Sequence, residues 1–250
     1  MSKKIRADEL LVSLGLVESR TKAQACILAG QVWQESERIK KSSQLLPANE
    51  NLRIDQPLRY VGRGGLKMEG FLRDSKWSVK GVDFLDLGAS TGGFTDCLLQ
   101  HGANSATCVD VGRGQLHYRL RTDPRVKNFE QTNLRTLDAK ELPLPSYSLI
   151  VMDLSFISLR KVLQKAWELL QGDGYLAALI KPQFECTKAE ADLGRGVIKS
   201  AEIHSRVLEE INQFAQDKLL GSKKIYQGEA LPRGNEGNKE FFLGWKKMPR

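Results

Sequence analysis

Apolar residues along this chain come in two rhythms. Between positions 82 and 180 they form compact blocks at 82–87, 105–109, 126–131, 149–152 and 175–180, most of them dense in branched or aromatic side chains and each the length of a buried strand. Several stretches between them follow the period of a helix instead: Phe94, Cys97 and Leu98, then 116–120, then 158–170 with Gly172 and Gly174 as its stop. A helix over 67–74 precedes the first block, and a long one over 200–220 follows the last. Positions 225–228 and 239–245 close as a hairpin with a long polar tip. Alternation of this kind predicts an α/β domain with a Rossmann-like, mainly parallel sheet and a C-terminal antiparallel hairpin.

The first sixty residues are organised differently. Leu10, Leu11 and Leu14 make a short helix over 8–14 that ends at Gly15, and Ser19 can cap a second helix running to Leu28 and closed by Gly30. Short strands at 32–33, 38–41 and 52–54 complete a small α+β module over 1–58. Residues 57–66, PLRYVGRGGL, are basic and broken by glycine, which predicts a flexible linker over 59–66 before the main domain at 67–250.

Charge adds a partner class. Lys and Arg number 38 against 30 Asp and Glu, a net +8, and residues 1–80 hold 15 cations against 9 acids. That surplus points to a polyanion for the N-terminal portion. Candidate phosphate contacts are Lys3, Lys4, Arg6, Arg20, Lys22, Lys40 and Lys41, with Arg63 in the linker, although any one of them alone reads as an ordinary solvated charge. The two-helix stretch ADELLVSLGLVESRTKAQACILAGQVWQ resembles the small RNA-binding domain of ribosomal small-subunit protein four, shared with pseudouridine synthases and tyrosyl-tRNA synthetases.

The chemistry begins at VDFLDLGASTGGFTDCLLQ, residues 82–100, where a strand turns through glycines into a helix. That geometry aims backbone N–H groups and a helix start at a ligand. A dinucleotide fingerprint would need a glycine where Ala89 or Ser90 stands. Instead Asp86 ends the strand, a carboxylate suited to a cationic, hydroxyl-rich ligand such as S-adenosylmethionine (SAM). Asp110 ends the next strand, where nucleotide-binding α/β folds place the acid that accepts from ribose, and Asn133 follows the third. Gly88, Ser90, Thr91, Gly92, Gly93 and Phe94 supply the candidate cofactor turn. A tight strand-to-helix turn would by itself also require glycines.

Two further strands end in Asp153 and Lys181, a pair suited to moving the proton of a weakly acidic hydroxyl, or to a plain ion pair at the sheet edge. In order, YVGRGGLKMEG, DLGASTGGFTDCLLQ, VDVGRGQLHYRLR, MDLSFISL, LIKPQFE and GRGVIKS resemble the TlyA family of ribosomal RNA 2′-O-methyltransferases, also called haemolysins, whose catalytic domain is of the FtsJ type. The resemblance implies SAM as cofactor, with Asp153 also at its site, ribosomal RNA or ribosomal subunits as partner and a cytidine as target. It also implies a tetrad of Lys67, Asp153, Lys181 and Glu240, with Lys181 as base. The serine-proline turn usual before the glutamate is absent here, and Glu236 rivals Glu240.

Other classes fit less well. Cys26, Cys97, Cys108 and Cys186 form no C-x-x-C pair and His101, His117 and His204 share no ligand spacing, so neither disulfides nor a metal is expected. Charged residues open the chain, no apolar run approaches a membrane span, and a cytosolic protein is expected. A membrane-active cytolysin and a non-catalytic RNA-binding assembly factor are the competing readings. Sequence says nothing of oligomeric state.

Overall fold

The computed structural model describes residues 4–28, 30–54, 59–234 and 237–249. The chain divides into two compact units, Met1–Leu58 and Arg59–Arg250. In the smaller, β1 (Lys4–Arg6) runs into α1 (Ala7–Ser13), followed by α2 (Arg20–Leu28), β2 (Val32–Gln34), β3 (Glu37–Arg38), β4 (Leu45–Pro47) and β5 (Leu52–Ile54). β1 pairs with β4, and β2 lies between β3 and β5, all antiparallel. Leu10, Leu11, Ala23, Ile27, Val32, Ile39 and Leu46 form its core. Ser19 Oγ accepts from the Lys22 amide at 3.2 Å, the expected cap of α2. β1 and β4 were not foreseen, because three residues are too few to display an alternation.

In the larger unit α3 (Gly64–Ser75) precedes β6 (Asp83–Leu87), α4 (Gly93–Gln100), β7 (Ser105–Val109), α5 (Tyr118–Arg121), β8 (Val126–Phe129) and β9 (Tyr147–Met152). Then come α6 (Leu163–Glu168), β10 (Leu170–Ile180), α7 (Pro182–Glu185), α8 (Lys188–Leu193), α9 (Ala201–Lys218), β11 (Ser222–Ala230) and β12 (Glu240–Lys247). Among the described residues these strands form one seven-stranded sheet, ordered β11-β12-β10-β9-β6-β7-β8. β10, β9, β6, β7 and β8 are parallel, while β12 and β11 are antiparallel. Both faces are covered, so successive residues of a strand enter opposite cores: Phe84, Leu149 and Val151 pack with α3 and α4, and Leu85, Ile150 and Met152 with α6 and α9. This two-sided burial is why the strands read as continuous apolar blocks. The strand order reverses between β6 and β9, and the crevice at their carboxyl ends is where such sheets bind ligands.

Two expectations need correction. The helix foreseen over 158–170 is a 3₁₀ turn at Leu159–Lys161 followed by the shorter α6, and Gly172 and Gly174 lie inside β10 at a register shift between Leu170 and Tyr175. Glycine within a strand marks a bulge as readily as it stops a helix. Residues 59–66, expected to be flexible, are built into the larger unit: Tyr60 is 1% exposed, the Val61 amide donates to Asp96 Oδ2 at 2.7 Å, and α3 begins at Gly64. Their glycines serve contact. A Cβ on Gly93 would lie 2.8 Å from the Gly65 nitrogen, so α3 and α4 touch through backbone.

Candidate active site

Three parallel strands and one antiparallel strand deliver the site. Asp86 lies near the end of β6, Asp153 follows β9, Lys181 follows β10 and Glu240 opens β12. β9 and β6 are joined past their ends by the Asp153 amide, which donates to Leu87 O at 3.1 Å. β10 pairs with β12 as far as Ile180 opposite Phe241, so the next register step sets Lys181 opposite Glu240. From the α3 side Lys67 Nζ donates to Glu240 Oε2. Lys67 is 9% exposed and Glu240 3%. Lys181 Nζ sits 2.6 Å from Asp153 Oδ1 and donates to Ser155 Oγ at 2.9 Å. The four residues of the implied tetrad thus form two cation–anion pairs lining one cavity of about 260 Å³, with Arg63, Asp86 and the 88–94 turn on its walls.

Asp86 is the unusual acid. It is 1% exposed, Thr95 Oγ1 donates to its Oδ2 at 2.6 Å, and its Oδ1 has no partner among the described residues. Burial, opposed by the Thr95 bond and aided by the Asp153 charge, pushes its carboxyl up to about 7. A buried acceptor left open on a cavity wall fits a cationic ligand. The turn beside it is tight: Gly88 has φ +85°, and a Cβ there would lie 2.5 Å from the Asp153 carbonyl oxygen.

A second cavity, of about 370 Å³, shares Gly88, Ser90 and Asp153 with the first and continues past Asp110 and Asn133. Asp110 Oδ2 accepts from the Ser90 amide at 2.8 Å and Oδ1 from the Gly112 amide at 2.7 Å, which holds the turn and leaves each oxygen one lone pair. Asn133 is exposed, and its Oδ1 accepts from the Arg135 amide at 3.0 Å. Thr91, Gly93 and Phe94 line the first cavity, whereas Gly92 serves as the N-cap of α4 at φ +92°.

Other residues escaped the sequence. Ser155 completes the environment of Lys181. Phe156, at φ +64° and 90% exposed, stands on the rim of the second cavity with its ring 5.1 Å from that of Phe184. Glu185, 7% exposed, joins the two loops by accepting from Ser158 Oγ at 2.7 Å and the Leu159 amide at 2.6 Å; burial raises its pKa despite these bonds. The apolar exposed Phe156 and the acid inside LIKPQFE were the available signals.

The phosphate candidates of the small unit divide. Asp8 is fully buried and draws both Arg6 bonds, at 2.9 Å each, and one from Arg20 at 3.2 Å; Arg6, ahead of Gln24 and Arg20, holds its carboxyl well below the usual range. Arg20 also pairs with Glu9 at 3.2 Å. A buried carboxylate must be paired, and these two arginines answer that need before any phosphate. Lys4, Lys22, Lys40 and Lys41 are exposed, and Lys3 lies outside the described residues. Arg63 is exposed in the larger unit.

A seven-stranded sheet with this order, a glycine turn after its central strand and an acid beneath that turn define the SAM-dependent methyltransferases. Residues 60–247 match the FtsJ-like methyltransferase family, and the chain belongs to it. It is 39% identical to YqxC of Bacillus subtilis, over 97% of this chain and 85% of that one. It is 37% identical to the 16S/23S rRNA (cytidine-2′-O)-methyltransferase TlyA of Mycobacterium tuberculosis, over 97% and 90%. A solved structure from Streptococcus thermophilus that carries a hemolysin name superposes with a TM-score of 0.75 at 37% identity, covering 99% of this chain and 90% of that one. SAM is the cofactor of the class.

Proposed function

We propose that this protein transfers the methyl group of SAM to a ribose 2′-hydroxyl of ribosomal RNA, at a cytidine by likeness to the mycobacterial relative, and that it acts in the cytoplasm. The observation that carries the reading is the convergence of Lys181–Asp153 and Lys67–Glu240 on one cavity beside the cofactor turn. When bound, SAM supplies an electrophilic methyl group. Asp86, the 88–94 turn, Asp110 and Asn133 are the residues that would hold it. Lys181 is the residue placed to take the 2′-hydroxyl proton, and Asp153, 2.6 Å away, orients its amine and stabilises the charge that the proton brings. Lys67, fixed by Glu240, orients the ribose. Positioning and exclusion of water at these largely buried groups account for the rate.

The 1–58 unit, with Lys4, Lys22, Lys40 and Lys41 exposed, is the RNA-binding domain of this reading. Among the described residues no helix is long and apolar enough to cross a membrane, and nothing favours the cytolysin that the hemolysin name implies. The test is methyl transfer from labelled SAM to ribosomal subunits and to naked ribosomal RNA, with Lys181→Ala in parallel. Wild type should modify a site whose adjacent linkage resists alkali, and the variant should bind SAM yet lose at least 100-fold in rate, the scale of general-base catalysis. Transfer at an alkali-sensitive site would sink the 2′-O assignment.

A further inference from the structure

GRGVIKS, residues 194–200, has no part in the chemistry above, yet it is fastened to it. Asn238, 4% exposed, donates through Nδ2 to Gly196 O at 2.9 Å and accepts at Oδ1 from the Ile198 amide at 3.0 Å. His204 Nε2 holds Ile198 O at 2.9 Å from α9. Asn238 precedes Glu240 by two residues, a span of at most about 7 Å, so the segment is tied to the strand that carries a residue of the cavity wall. It follows β10 and therefore leaves the carboxyl edge of the sheet, the edge where Lys181 stands.

The segment exposes two cations, Arg195 and Lys199, that make no ion pair or side-chain hydrogen bond among the described residues. Elsewhere in this unit Arg59, Arg73, Arg119, Arg125, Arg160 and Arg206 are each paired with an acid, while Arg113, Arg121 and Arg135 are, like Arg195, exposed without an ion pair among the described residues. Of the acids near the segment, Glu190 pairs with Arg206 and Glu185 is held by Ser158, Leu159 and Arg160, while Asp192 is exposed and forms no ion pair among the described residues. Arg195 also has φ +49° between two glycines, a conformation that costs a non-glycine residue about 1 kcal/mol or more. For folding alone glycine would serve better at 195. The arginine side chain makes no polar contact among the described residues and sits at a backbone cost, on a loop pinned by Asn238 and His204.

We propose that residues 194–200 form a phosphate clamp, in which Arg195 and Lys199 grip the backbone of the substrate RNA strand next to the target ribose. This rests on the RNA methyltransferase reading above. A guanidinium fork and an ammonium suit successive phosphates of one strand, and Asn238 transmits their position to the Glu240 strand.

The experiment compares wild type, Arg195→Gly and the double variant Arg195→Glu/Lys199→Glu in methyl transfer to ribosomal RNA, with RNA affinity measured between 50 and 200 mM salt. Arg195→Gly should raise the melting temperature by relieving the backbone while raising KM for RNA about fivefold. It should also reduce the slope of log affinity against log salt by about 0.7, one single-strand phosphate contact. The double variant should raise KM at least 30-fold, and SAM affinity should stay at the wild-type value in both. Unchanged RNA affinity and salt slope in both variants would overturn the clamp, as would a loss confined to variants that also melt earlier. Absence of transfer by the wild type would instead count against the underlying function.

Discussion

Lys67 and Glu240 are 173 positions apart in sequence, nearly solvent-free, and joined to each other. Removing one partner strands a nearly buried charge, which typically costs about 3–5 kcal/mol where water is shut out and less where the cavity admits it, whereas replacing both by apolar groups is often neutral. Glu240→Gln and Lys67→Met should therefore each lower the denaturant midpoint strongly. The double variant Lys67→Met/Glu240→Leu should recover much of the loss while transferring no methyl groups, which chemical denaturation alongside the transfer assay will show. A double variant no more stable than the singles would mean the pair is not an isolated coupled unit. The pair was legible only through resemblance: nothing in the local sequence ties a lysine on α3 to a glutamate on the last strand. Asp153 and Lys181 were legible physically, since each simply ends an apolar block. Asp86 was also visible as a strand-end acid, but its open oxygen and raised pKa depend on α4 closing over it.

At the scale of elements, the site depends on how closely α3 packs against the Tyr60 segment that leads into it. Gly65 lies against the Tyr60 ring, where an added methyl would collide with Cβ and Cγ, whereas at Gly64 the nearest atom to an added Cβ is Phe94 Cδ1 at 3.4 Å. Gly65→Ala should thus destabilise by about 1–3 kcal/mol through overpacking and, by moving α3, pull Lys67 from Glu240 and lower transfer. Gly64→Ala should cost well under 1 kcal/mol. Thermal melts of the two variants decide it, and equal losses would refute the close-approach account. The same glycines misled the sequence reading: RYVGRGG has the composition of a linker, and whether a glycine loosens a chain or admits a neighbour is a tertiary matter. Strands were easier to recover, because burial on both faces leaves an unbroken apolar run. The helix at 158–170 failed where a β-bulge shares its residues with a helix stop.

For the whole molecule, charge has to be assigned to the units rather than to the N-terminal third. Of the surplus in residues 1–80, the 1–58 unit holds nine cations against seven acids, and residues 59–80 hold six against two. The small unit is nearly neutral overall, and two of its arginines serve Asp8. On the reading proposed above, its RNA affinity would come from where its lysines stand rather than from a net field. Arg20→Ala should act mainly on folding, lowering the melting temperature by removing one donor from Asp8 with little change in the salt slope. Lys22→Glu/Lys40→Glu/Lys41→Glu should leave the melting temperature within a few degrees, weaken RNA binding at least tenfold and flatten the salt dependence by about two phosphate equivalents. Combined with Arg195→Glu/Lys199→Glu in the other unit, the losses in binding free energy should add to within about 0.5 kcal/mol, because the two sets share no partner. Strong non-additivity would show that both sets compete for the same phosphates. A changed methylation site in the lysine variant, rather than a higher KM at the same site, would assign target choice to the small unit.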